Sequence, residues 1–169
     1  MKLKMTFWNQ IQALFDLILI SCLYFGFWIF NIEILNLKFV IYIALPFIVI
    51  FVVPVLFIHL NYYLLSAHIV YEINQEDLMI IEKNKNIKYN IKDVIRVTIY
   101  MTPNKLKDSA VRSFPFESYY YVELQLINNK KLIITCLHSR KIDKIIENYF
   151  KKIEIVKIKS IFPLIKKDD

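Results

Sequence analysis

Two long apolar runs limit what this chain can fold into more than any other feature. Residues 39–59 carry no Asp, Glu, Lys or Arg, and in residues 11–30 the only charge is Asp16. Each run is about 20 residues, the length at which a helix crosses roughly 30 Å of hydrocarbon. The whole chain is 57% hydrophobic, above the roughly 45–50% of an ordinary soluble domain. The expectation is a membrane protein with spans at about 11–30 and 39–59. The start, MKLKMTFWNQ, has the lysines of a signal peptide. The apolar run that follows is too long for one and ends in GFWIFNIEIL, with no small-residue cleavage pattern, so the span is expected to be retained.

The connection NIEILNLK is too short for a domain, so the spans are expected to form an antiparallel hairpin. Lys2 and Lys4 precede it, Lys38 alone lies in the connection, and the soluble half is rich in lysine. The positive-inside rule then places both termini in the cytoplasm and the hairpin in the cytoplasmic (inner) membrane. Pro46 and Pro54 predict a bent anchor; a transport hinge would want polar groups beside them. Trp8, Trp28, Tyr62 and Tyr63 are placed for an aromatic belt at the interfaces. Asp16 is expected at the cytoplasmic edge, hydrated or near an N-terminal lysine.

From about Ser66 the period changes. HIVYEIN, LMIIEK and NIKYN read as strands, and DVIRVTIYM alternates with Ile95, Val97 and Ile99 on one face. YYYVELQLI and KLIITCL flank Asn128-Asn129-Lys130, a hairpin signal because asparagine tolerates positive φ. The only glycine is Gly26, so asparagine is expected to supply the turns of the soluble half. Ser139 can cap a helix at about 139–152 with an apolar stripe at Ile142, Ile145, Ile146, Tyr149, Phe150 and Ile153. A basic tail follows, with a short strand expected at 155–159 and fraying beyond it. The predicted fold class is α+β. Residues 1–65 form an N-terminal segment and hairpin. Residues 66–169 form a small β-barrel or sandwich-like domain with one C-terminal amphipathic helix. That domain is expected to bury its own core, with none of it supplied by the hairpin.

No pair of histidines among His59, His68 and His138 has metal-ligand spacing, and HExxH, GxSxG, P-loop and CxxC patterns are absent. The expectation is no enzyme, no catalytic residue, no metal and no cofactor. Cys22 and Cys136 fall in different halves and are read as small apolar fillers. Residues 67–169 hold nineteen Lys and Arg against thirteen Asp and Glu. These are scattered over both faces of every element and show no nucleic-acid motif, so a nucleic-acid partner is not expected.

The longest interruption of the β pattern is TPNKLKDSAVRSFPFESYYY. Lys105, Lys107 and Arg112 supply positive charge there, and Phe114, Phe116, Tyr119 and Tyr120 supply amphipathic surface. These residues are the candidate contact for anionic lipid head groups or a protein partner, since each basic group near an anionic leaflet contributes about 1 kcal/mol of attraction. The competing reading is a solvated loop whose aromatics pack on the rim of the domain.

YEINQEDLMIIEKNKNIKYNIKDVIRVTIY (residues 71–100) and VELQLINNKKLIITC (residues 122–136), followed by one helix, resemble bacterial pleckstrin-homology-like (PH-like) domains that follow a pair of transmembrane helices. The resemblance departs from the family pattern in having no glycine in its turns. It implies a non-catalytic module, anchored in the membrane and binding proteins or lipid head groups. The alternative from the residues is a small accessory or regulatory subunit of a transporter or channel, in which the helices do the specific work.

Overall fold

The computed structural model describes residues 1–31, 37–83, 85–109 and 113–166. A three-residue strand, β1 (Lys2–Lys4), leads directly into α1 (Phe7–Asn31). The return helix has three parts: α2 (Leu37–Phe47), a π-helical turn (Ile48–Val52) and α3 (Val53–Ser66). Proline explains the division. Pro54 has no N–H to give the preceding turn, and the helix widens so that Val53 N–H bonds Ile48 O, five residues back. Near the tip the two helices are joined by Tyr24, whose ring stacks on Phe47 at 4.6 Å and whose hydroxyl donates to Ile43 O at 3.2 Å.

The predicted strands are present, now bounded as β2 (Ile69–Ile73), β3 (Asp77–Glu82), β4 (Lys85–Asn90), β5 (Val94–Met101), β6 (Tyr120–Leu126) and β7 (Lys131–Thr135). Between β5 and β6 lie α4 (Pro103–Leu106) and a 3₁₀ turn (Pro115–Ser118). With β8 (Ile155–Lys159) the strands assemble into two four-stranded sheets, β1-β2-β3-β4 and β7-β6-β5-β8, so the domain is a two-sheet structure with no closed barrel. β8 lies where the tail strand was expected and pairs parallel to β5, the other pairings being antiparallel. The amphipathic helix α5 (Ile142–Tyr149) is shorter than expected and buries Ile142 and Ile146, with Phe150 buried just beyond it. Ser139 does not cap it: Lys141 stands at the cap, and the Ser139 hydroxyl only accepts from Lys141 N–H at 3.3 Å.

Three local expectations are corrected. Ile95 does not share a face with Val97 and Ile99. A bulge between Val94 and Arg96 shifts the register, so Val94 turns inward and Ile95 outward. Asparagine does serve the β6–β7 turn, with Asn129 at φ 62°, while among the described residues Lys83 and Asp108 also take positive φ. The tail does not fray at residue 160: Pro163 and Ile165 are buried.

The larger correction concerns the core. β1 pairs with β2 in register Leu3↔Tyr71, so the first strand of the first sheet lies on the far side of the hairpin in sequence. Along α3 the residues Val55, Ile58, Tyr62 and Ser66 are buried, a spacing of three and four that turns one helical face onto the domain. Ala13 and Leu17 of α1 join the same cluster. The hairpin base is therefore part of the core. Tyr62, expected in an aromatic belt, is fully buried, while Trp8 and Tyr63 remain exposed.

Candidate functional site

The segment between β5 and β6 is organised by one carboxylate. Glu117, in the 3₁₀ turn, accepts from Asn104 Nδ2 and from Ser113 N–H, each at 2.9 Å. Its carbonyl accepts from the Thr102 hydroxyl at 2.9 Å. The loop is thus tied at both ends and lies against the hairpin base, where Phe114 meets Phe51 at 5.9 Å between ring centres. On the same side the Ser118 hydroxyl donates to the carboxylate of Asp16, and Arg140 approaches Asp16 at 3.9 Å. Among the described residues Asp16 faces Ser118 and Arg140 of the domain, where an N-terminal lysine was expected.

The candidate contact residues divide into two sets. Lys105 points inward: its ammonium lies 3.3 Å from Asp143 Oδ2 and 4.9 Å over the Tyr120 ring, with both charged side chains largely buried. Tyr120 is buried and donates to Arg140 O at 2.7 Å and Asp143 Oδ1 at 3.0 Å. Burial, with the Asp143 charge behind it, drives its phenol well above the usual range. Tyr119 is buried and hydrogen-bonded to His59 Nδ1 at 2.9 Å. Lys107 and Phe114 are on the surface, and Phe116 is half-buried, stacked beneath Phe114 at 5.2 Å. Arg112 lies outside the described residues.

The surface set has neighbours that sequence reasoning did not single out. Leu106, Phe114 and Ile161 are exposed apolar side chains on this rim, Ile161 at 74%. Exposed Lys159 joins them: β8 places it opposite Met101, at the end of β5 from which α4 departs. Lys107 and Lys159 have no ion-pair partner among the described residues. A few other lysines are paired, for example Lys2 with Glu72, Lys88 with Asp77 and Lys157 with Glu147. No signal in the sequence alone could have joined Ile161 to Phe114; β8 had first to be placed on β5.

A second polar group lies deeper. The Ser66 hydroxyl meets Thr135 Oγ1 at 2.8 Å, Thr135 meets His138 Nδ1 at 3.3 Å, and His138 Nε2 meets Ile69 O at 3.2 Å. A carbonyl can only accept, so Nε2 carries the proton and Nδ1 accepts from Thr135. Burial holds the imidazole below its usual value, so it is neutral at pH 7. Burial likewise pushes the Cys136 thiol up to about 12, far from a reactive thiolate. The network ties α3, β2 and β7 together and is satisfied throughout. No group of three His, Cys, Asp or Glu able to hold a metal occurs among the described residues.

Two sheets, one antiparallel and one with a single parallel edge pairing, and a helix following the β6–β7 hairpin are the architecture of a PH-type domain. The chain belongs to the PH domain family, whose family model matches residues 2–139. The match begins in β1 and runs through the hairpin, so both sides of the hairpin fall within it. Neither the curated proteins nor the solved structures contain a significant match to the chain. Domains of this family are generally non-catalytic and bind proteins or lipids.

Proposed function

We propose that this chain is a non-catalytic interaction module, anchored by its hairpin in the cytoplasmic membrane, with its rim resting on anionic lipid. The observation that carries the reading is the outer surface of the hairpin. Phe7–Phe30 and Val40–Ser66 are both long and apolar enough to span, yet only 11% and 17% of their most apolar windows are buried. A core helix of a soluble protein would bury most of such a window. Leu23, Phe27, Phe30, Tyr42, Leu45 and Val49 instead form an unbroken apolar exterior.

Helix length supports a domain pressed onto the bilayer rather than held away from it. Beyond the level of Asp16 and Phe51, α1 continues for about 22 Å and the return helix for about 21 Å, at 1.5 Å per residue. The hydrocarbon layer is roughly 30 Å thick. The described helices approach that thickness with the rim in the interfacial layer, Leu106, Phe114 and Ile161 among the acyl chains and Lys107 and Lys159 at the phosphates. β1 and β2 pair across the hairpin, so both ends of the hairpin emerge on one face. Lysine on that face favours the cytoplasmic side.

The π-helical turn is lined by Ile48, Val49, Ile50, Phe51 and Val52, without a polar group, which leaves the transporter-subunit reading no observation of its own. The test is a Phe114→Trp variant of the full chain reconstituted in nanodiscs with brominated lipids. Quenching by bromines placed near the head groups, stronger in anionic than in neutral discs, is expected. A tryptophan that iodide in water quenches freely and the lipid does not would place the rim in solvent and remove the reading.

A further inference from the structure

The segment after β8 turns back along α3. Ser160 N–H bonds Met101 O at 2.9 Å, closing the end of β5, and the chain then runs beside the hairpin base. There the carboxamide of Asn61 holds one residue at both main-chain groups. Its oxygen accepts from Ile165 N–H at 3.0 Å, and its nitrogen donates to Ile165 O at 3.2 Å. A neighbouring β-strand would make the same pair of bonds; here a helix side chain makes them. One helical position on, the buried Tyr62 hydroxyl donates to Pro163 O at 2.7 Å.

The side chains follow the same two-residue rhythm. Pro163 and Ile165 are buried, while Phe162 and Leu164 are half-exposed, Phe162 resting edge-on against Phe116 at 5.5 Å. Asn61 lies toward the domain end of the apolar helix Val40–Ser66, and a part-buried amide there is unfavourable without partners. Its two bonds to the tail supply those partners. Main-chain bonds with alternate side chains in pockets are how sheet edges take extended peptides.

We propose that the groove between α3 and the Pro115–Ser118 turn is an extended-peptide site, that residues 162–165 are its ligand in cis, and that a membrane-proximal partner segment of the same chemistry takes it in trans. That chemistry is an extended stretch with an aromatic, then proline, then an aliphatic residue two places further on, its N–H and C=O both free. The tail is tethered through β8, and a short tether gives an effective concentration on the order of millimolar. A partner therefore enters only when the tail leaves or when the partner's affinity exceeds that competition. The inference rests on the interaction-module reading, and its groove adjoins the rim through Phe116 and Ile161; the nanodisc test reads Phe114 with the tail in place and the peptide test reads Asn61 in detergent, so the two fail separately.

The probe is a fluorescent peptide, SIFPLIK, matching residues 160–166. Full-length protein in detergent carrying Pro163→Asp and Ile165→Asp presents the groove with its tail expelled. It should bind the peptide at least about tenfold tighter than the unsubstituted chain, because the internal competitor is gone. Binding should be lost with Asn61→Leu in the same background, and lost when the isoleucine nitrogen of the peptide is methylated. If the tail-expelled protein keeps its thermal transition yet does not bind, or binds the methylated peptide equally, the proposal is overturned. Should that variant not fold, a fluorophore on Lys166→Cys in a Cys22→Ala chain reports on the native tail. Millimolar SIFPLIK should lower its anisotropy, and an unchanged value in that measurement overturns the proposal.

Discussion

Asp16, the one carboxylate in the first apolar helix, accepts a hydrogen bond from the hydroxyl of Ser118, which lies in the turn that leads into β6. The pair joins the hairpin to the domain at the level where the helices leave the protein. Asp16→Leu would leave the mostly buried Ser118 hydroxyl and the nearby Arg140 without that acceptor, at a cost of about 1–3 kcal/mol. Asp16→Asn retains an acceptor and should lose less. Thermal unfolding in detergent reads the order: wild type, then Asn, then Leu. A leucine variant as stable as wild type would mean the contact contributes nothing.

The hairpin base is expected to be indispensable to the fold. A fragment beginning at Ala67 lacks Leu3, Val55, Ile58 and Tyr62, all buried in the intact chain, and leaves the β2 edge without β1. It should bind a dye for exposed apolar surface and show no cooperative transition. In the full chain, Tyr62→Ala should cost about 3–5 kcal/mol, the range for deleting a large buried ring. A sharp unfolding transition in the fragment would show that the hairpin is dispensable.

The inward face of α5 separates from its outward face at adjacent turns. Ile146 is fully buried and Lys144 is exposed. Ile146→Asp places a carboxylate against the core without a partner and should destabilise by several kcal/mol. Lys144→Asp should shift stability by less than about 0.5 kcal/mol. Denaturant titration of both variants checks this, and equal tolerance would move α5 off the sheets.

The buried histidine gives a pH dependence with a definite sign. Its folded pKa is lowered by burial, so below its usual value near 6.5 the unfolded chain binds a proton that the folded chain does not. Stability from this site is therefore full above about pH 6.5 and declines as pH falls toward the folded pKa, by up to about 1.4 kcal/mol per pH unit. Unfolding of wild type should be easier at about pH 5 than at pH 7.5, and His138→Gln should flatten that part of the profile. A His138→Gln profile that keeps the full wild-type slope would assign the dependence to other groups.

Much of the architecture is written in local pattern. An apolar run of spanning length has only one economical conformation in or out of a bilayer, so the helices were legible from residues 11–30 and 39–59 alone. Alternation marked the strands, because side chains on a pleated chain point to opposite faces whatever lies beyond them. Ile142, Ile146 and Phe150 declared the inward stripe of α5 for the equivalent helical reason. The candidate contact segment was legible as an interruption, yet its charges and rings could not be sorted. Lys105 and Lys107 are two residues apart, and only the position of Asp143 across the fold turns one inward.

What only the tertiary structure decided are the relationships between distant segments. Lys2–Lys4 is too short to announce itself as a strand and becomes one because β2 offers it an open edge. Val55, Ile58 and Tyr62 look like any lipid-facing residues of an apolar helix, because hydrophobicity does not record whether the neighbour is lipid or protein. The bulge at Val94 reverses Ile95, since register is set by the partner strand as well as by the strand's own alternation. Asn61 falls just outside the expected span at 39–59, and its meaning comes from Ile165, 104 residues away. Sequence by itself determined which segments are helical, extended, or long and apolar enough to span, because those choices depend on near neighbours. The surfaces that meet, and so the rim and the groove, were decided by packing, which depends on every segment at once.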